Sequence, residues 1–536
     1  MPEKQPRYGA AYDSGKSRLL ARIAEDETAI DPRLELAQLA YVAGDFGTAE
    51  ATLRAASELA PDSARVFIRL GDVLHETERH EEALESYLKA ERLAAGTPIE
   101  TEATLERELC ERDCRLVFTP LAEFESDAKE QTASAKELNR LGGLYLAAGR
   151  LPEAAETFRR AVQQDESSLQ AALNLGFTQG LASIEPDRLK RSVKELTAAA
   201  ERFADEPRLQ LHLAELYEAS SLYDAAIQRI MRALLNSKTC LEAYDLAARY
   251  MTLGGGREAP LEKRIDEIVT DAEKAAAGGA DADANRLLAL ALIGRARYRS
   301  AAGSPYPEEG KEDLGRACEL LKEVSDADEE TAVRLAECRE RLGEVDDAER
   351  LLRDAAERHG DSYRPHFELA GLRLRTGRPD EAVELFARAI EAAPEEAALY
   401  QSLRFALASA RKLRLSELAA RKELENDPKS VAAHLRLGKA YLDAMRHDAA
   451  VEVLAKATEL RPDRADAHAA LGRALARVSR NEEAEASLRK AIELDANLAD
   501  AYKGLGNLLV DAPGRMREGL EALDKYRELK AGDGRS

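Results

Sequence analysis

The strongest constraint in this 536-residue chain is that it repeats itself. Residues 434–441 read HLRLGKAY, and residues 468–475, 34 positions later, read HAALGRAL. The same interval links LELAQLAYVAGDFGTAEATLRAASELAP to FIRLGDVLHETERHEEALESYLKAERLAA near the start. A period of this length specifies a stacked array, in which each unit buries its apolar face only against its neighbours.

Copies start near residues 30, 64, 135, 169, 207, 329, 363, 397, 431, 465 and 499. Counted from each start, a glycine recurs at position eight (Gly71, Gly142, Gly176, Gly438, Gly472, Gly506). Alanine recurs at position twenty, from Ala49 and Ala83 to Ala450 and Ala484. A bulky apolar residue follows at position twenty-four (Leu53, Tyr87, Phe158, Leu454, Leu488), and a second alanine at twenty-seven. Glycine marks a mid-repeat turn at Gly44, Gly149, Gly343 and Gly377, and proline ends several copies at Pro61, Pro394, Pro428 and Pro462. Small residues let two helices approach closely, the bulky one fills the gap, and proline stops the second helix.

This constellation resembles the tetratricopeptide repeat. The resemblance implies an all-α fold, an α-solenoid built as a superhelical array of antiparallel helix pairs. Composition agrees, because Ala, Leu, Glu and Arg dominate and aromatics are only 5%. His434 and His468 fall at position four, where Phe67, Tyr244 and Tyr400 also stand, so packing explains them better than a duplicated catalytic histidine.

The expected organisation is an N-terminal segment with a capping helix (1–29), an N-terminal array (30–236) irregular at 96–134, an irregular helical connector (237–328), a C-terminal array (329–530) and a tail (531–536). Residues 96–134 read as an irregular helix pair. The connector carries the breaker clusters LGGGREAP, AAAGGADADAN and AAGSPYPEEG, which make it the best candidate for a hinge. The copy at 397 is degenerate, with Arg404 and Ser416 in place of the small residues.

Several chemistries are excluded. Net charge is −22, and residues 361–536 carry 30 basic and 30 acidic side chains, so the whole excess lies in residues 1–360. Such a surface repels phosphate backbones, and no nucleic-acid partner is expected. No apolar run reaches the ~18 residues of a membrane span and no signal-peptide pattern is present, so a cytoplasmic location without membrane insertion is expected. The five cysteines show neither a disulfide framework nor a metal-ligand spacing. GAAYDSGKS at 9–17 spaces its glycines wrongly for a phosphate-binding loop and follows no strand. No catalytic constellation, metal site or cofactor site is found.

In the family, positions two, five, six, nine, twelve and thirteen line the concave face. Here the resemblance selects Phe367, Phe405 and Leu435 as apolar anchors beside Arg436, Lys439, Arg473, Arg477, Lys503 and Asn507. Lys503 and Asn507 repeat one step of the carboxylate clamp of chaperone adaptors, but in the last repeat, where nothing completes it. The expected function is a non-enzymatic scaffold or adaptor binding a protein or peptide, an acidic segment or amphipathic helix, in assembly or regulation of a bacterial multiprotein machine. Two alternatives stay open: a regulatory or substrate-delivering subunit of an enzyme encoded elsewhere, and a self-assembling structural element. Nothing in the sequence sets the oligomeric state.

Overall fold

The computed structural model describes residues 9–77, 79–97, 99–128, 133–181, 186–250, 259–277, 282–299, 307–323, 328–510, 512 and 515–533, and every regular element among them is helical. Repeats are helix pairs of nearly constant length, such as Tyr363–Arg375 with Pro379–Ala392 and Ala465–Arg477 with Asn481–Leu494. A three-residue link forces the partners antiparallel.

The turn has one design throughout. Position fifteen is left-handed in Gly44, Gly149, Gly343 and Gly377, with φ between +75° and +88°. The amide of position sixteen then donates back to the carbonyl of position eleven, as Asp45 does to Ala40 and Arg378 to Arg373, both at 2.8 Å. This is the Schellman closure that satisfies the orphan carbonyls of the first helix. Ser221, Met445 and Ser479 adopt the same φ, between 58° and 61°, without the glycine that would make it inexpensive.

Close packing of the pair follows from the small residues. A Cβ on Gly71 would lie 2.5 Å from the Tyr87 ring, one on Gly142 2.5 Å from Phe158, and one on Gly438 2.4 Å from Leu454. Position-twenty alanines such as Ala49, Ala83, Ala382 and Ala484 are fully buried. Position four carries rings that pack and also anchor the chain. Tyr244, Tyr400 and His468 each reach the carbonyl six residues upstream, at 2.8–2.9 Å. His468 is therefore a packing residue that grips the Pro462 carbonyl at the end of the preceding repeat.

Three stretches differ from their sequence-based reading. Residues 100–128 form one helical path, Glu100–Asp113, a π-helical segment Cys114–Phe118 and Thr119–Ala128, and not a helix pair. The breaker clusters at 251–258, 278–281 and 300–306 lie outside the described residues, but the helices between them belong to one core. It runs from Leu211 to Cys338 through Tyr244, Ile268, Leu292 and Leu321. Gly294 repeats the small-against-ring device here, its Cβ position falling 2.6 Å from the Tyr244 ring. Lastly, the copy at 397 has no turn, and Ala397–Asn426 is a single 30-residue helix. Arg411 stands at position fifteen, and the neighbouring sequence ASARKLRLSELAARK offers no Gly, Pro, Asn or Asp to leave the helix.

By compactness the chain divides into two units, residues 1–123 with 411–433, and residues 124–410 with 434–536. This division does not coincide with the boundaries drawn from repeat register and composition. The long helix contributes its first half to one unit and its second half to the other.

Candidate partner-binding surfaces

In the second unit, the expected basic residues lie on successive first helices. Arg436 and Lys439 are exposed on Val431–Asp443, Arg477 is exposed and Arg473 half-buried on Ala465–Arg477, and Lys503 and Asn507 are exposed on Ala499–Val510. The last two of these helices pack directly, with the Arg473 stem over Gly504, whose Cβ position is 3.4 Å from Cγ. Lys503 also points its ammonium at the Tyr526 ring, 5.7 Å from the centroid. Positions six and nine thus carry cations on neighbouring helices.

The apolar anchors fare unequally. Phe405, at position nine, is 62% exposed. Leu435 is buried and offers nothing to a ligand. Phe367 is half-buried and sits edge-on against Phe386, at 5.7 Å between centroids. The reason is positional. Position five is a seam between adjacent first helices, where Ile68, Leu173, Leu211, Val333 and Ala469 are buried as well. Lys503 escapes this because no further first helix follows it among the described residues. Of the three anchors, only Phe405 is presented.

Toward the start of the second unit, the same concave positions are already filled. Asn174 donates to the Glu395 carbonyl at 2.6 Å and accepts from the Ala397 amide at 3.2 Å, while Tyr400 lies against Gly143, 2.5 Å from where a Cβ would stand. Further along, charges are knitted internally. Glu337 accepts from Arg297 at 2.6 Å, Arg334 at 3.0 Å and Arg341 at 3.2 Å, and Arg297 also reaches Asp245 at 2.6 Å. Burial opposes ionisation of Glu337, yet the Arg297 guanidinium, supported by Arg334 and Arg341, holds its carboxyl down at about 2.

The first unit contains a constellation the repeat pattern did not single out. Arg411 enters from the long helix and donates to Glu106 at 2.6 Å and to the Tyr87 hydroxyl at 3.3 Å. Tyr87 in turn donates to Asp72 at 3.0 Å, and Lys422, three turns along the helix, reaches Glu102 at 3.2 Å. Burial lifts the Glu106 carboxyl to about 7, against the pull of Arg411. His75 is pushed down to about 3 by burial and by Arg411. A cavity of about 210 Å³ remains beside Arg411 and Leu415, walled by Gln38, Tyr41, Arg69 and His75. Asp72, Tyr41 and His75 occupy positions nine and twelve, the ligand-facing register. The signal for this site was the acidic excess of residues 1–360 combined with the missing turn at 411.

Lys16 of the glycine-containing segment at 9–17 lies in a helix and bonds Asp45 at 3.0 Å and Thr48 at 2.9 Å, so it tethers two helices. Among the described residues no cluster of His, Cys, Asp or Glu has the arrangement of a metal site, and no helix is long and apolar enough to cross a membrane.

Tetratricopeptide-repeat models match residues 34–98, 134–176, 344–407, 406–467 and 465–498. Among solved structures, the chain is similar to yeast Tom70 at 14% identity, covering 88% of this chain and 96% of that one with a TM-score of 0.26. It is similar to the APC/C hetero-tetramer Cut9-Hcn1 at 15% identity, 93% of each chain and a TM-score of 0.28. It is similar also to YrrB, described as a TPR protein with an unusual peptide-binding site, at 15% identity, 42% and 96% coverage and a TM-score of 0.19. No curated protein matches the sequence.

Proposed function

The chain belongs to the tetratricopeptide-repeat family, whose repeats mediate protein–protein binding, and we propose that it is a non-enzymatic scaffold whose C-terminal array holds an acidic peptide segment of a partner. The observation carrying this reading is the row of cations on three successive first helices, Arg436 and Lys439 at positions six and nine, Arg473 at position nine with Arg477 at the next turn, and Lys503 at position five of the last. Their fields add along one wall, which steers an acidic segment and makes association salt-dependent. Phe405 supplies an exposed ring for an apolar side chain of the same partner.

The wider role is assembly or regulation of a multiprotein machine in a bacterium, supported by the family and by an Ala-, Arg- and Glu-rich composition. The test is affinity capture from the native source with the wild-type chain and with R436E/R473E. A partner retained by the wild type should be lost from the double variant, and more completely at low salt than at high salt. A partner bound equally by both places the site elsewhere.

A further inference from the structure

The second half of the long helix behaves as a ligand. In the neighbouring repeats at 363 and 465, the second helix packs on its own first helix, as Pro379–Ala392 does on Tyr363–Arg375. Residues 411–426 do not; they lie against helices that precede them by about three hundred residues, Arg411 with Glu106 and Lys422 with Glu102. One stripe makes these contacts, while Leu413 and Ala420 are buried on the opposite face. Arg411, Leu415 and Lys422 are spaced i, i+4 and i+11, which puts them on a single face of an α-helix. Leu418, at i+7, completes that stripe.

The wall they meet carries Asp72, Glu76, Glu102 and Glu106 with Tyr41 between them, and Tyr41, Asp72 and Glu76 stand at repeat positions that in this architecture face a bound segment. The fit is incomplete. Arg411 buries its Nη1 without a hydrogen-bond partner, and a cavity of about 210 Å³ lies beside Leu415. A protein interior packed for permanence leaves few such gaps, and an unpaired guanidinium nitrogen is costly.

We propose that the concave wall of residues 38–106 is a docking site for a basic amphipathic helix, and that Arg411–Lys422 is its built-in occupant. An external helix with the pattern cation, Leu, Leu, cation at i, i+4, i+7 and i+11 competes for the same wall. This surface is separate from the C-terminal array in sign and in residues, so either reading can fail without the other.

The test uses the full chain and a fluorescein-labelled peptide of residues 408–425 as probe. Fluorescence anisotropy should show the peptide binding R411E/K422E at least tenfold more tightly than wild type, because the internal competitor is disabled. A peptide carrying both reversals should not bind, and adding E102Q and E106Q to the freed chain should weaken binding at least tenfold. Equal binding by wild type and R411E/K422E, or equal binding of the reversed peptide, overturns the proposal. Should R411E/K422E fail to fold, hydrogen exchange on the wild-type chain decides. Excess peptide must speed exchange of amides 411–426 while leaving those of Ala64–Glu76 unchanged, and no acceleration at saturating peptide overturns the proposal.

Discussion

Two stretches depart from the 34-residue rule, and they depart in opposite ways. Residues 237–328 break the register and are rich in helix breakers, yet their helices share one core with Leu211 and Cys338 on either side. Residues 397–430 keep the length of a repeat and contain no breaker before Asn426, yet form no hairpin at all. Breakers between helices only end helices; they do not prevent stacking. What makes a hairpin is a residue willing to turn at position fifteen and small residues at eight and twenty that let the two helices close. The copy at 397 has Arg411, Arg404 and Ser416 at those places, and good helix formers in between.

The contrast can be broken most forcefully at Glu337, which ties the irregular stretch to the array that follows it through Arg297 and also pairs with Arg334 of its own helix. Replacing it by Gln strands buried guanidinium groups and should lower stability by about 4 kcal/mol, read from denaturant unfolding. Because the folded carboxyl is held at about 2, below its usual value near 4.5, its contribution is present above pH ~4.5 and is lost as pH falls towards 2. E337Q should therefore flatten the acid limb of the stability profile as well as lowering it.

Next in size is the transplant of a turn. Residues 377–379 read Gly-Arg-Pro where residues 411–413 read Arg-Lys-Leu. R411G/L413P puts a proline inside the long helix and should cost about 3 kcal/mol, with a visible loss of helical ellipticity. The reciprocal exchange at position eight should be similarly one-sided. Gly438→Arg forces a side chain to within 2.4 Å of Leu454 and should cost about 3 kcal/mol, whereas Arg404→Gly, at an exposed site, should cost about 1 kcal/mol.

The smallest effect is the most discriminating, because its sign changes between repeats. Met445 and Ser479 hold left-handed conformations, so replacing either by Gly should stabilise by about 1 kcal/mol. The same substitution at Arg411, which occupies the equivalent position but is helical, should destabilise, by about 1 kcal/mol of lost helix propensity and further by the loss of its buried pair with Glu106. Thermal melts of the three single variants suffice to check it.

How much of this could be read in the letters depended on distance along the chain. Gly71 against Tyr87, or Gly438 against Leu454, are contacts within one repeat, and the sixteen-residue spacing encodes them. The ring at position four was legible as a packing position, but the bond from His468 to the Pro462 carbonyl of the preceding repeat was not. Arg411 meeting Glu106 was not, because no local pattern says which wall a helix will choose once it is released from its own hairpin. Leu435 was misplaced for a subtler reason. A position that lines the groove in a family-wide map is here a seam covered by the next first helix, and an apolar side chain is retained there by burial. Phe405, at position nine, remains exposed.

The central claim is that Ala397–Asn426 is one rod and not a folded pair. Spin labels at Ala398 and Arg421, introduced as cysteines among five native cysteines that are all buried, would measure it by pulsed electron resonance. Twenty-three residues of continuous helix separate the labels by roughly 35 Å at 1.5 Å per residue. A distribution centred near that distance is what the account predicts. A hairpin like that of every neighbouring repeat would bring the labels to roughly 10 Å, the spacing of packed helices, and that result would contradict it.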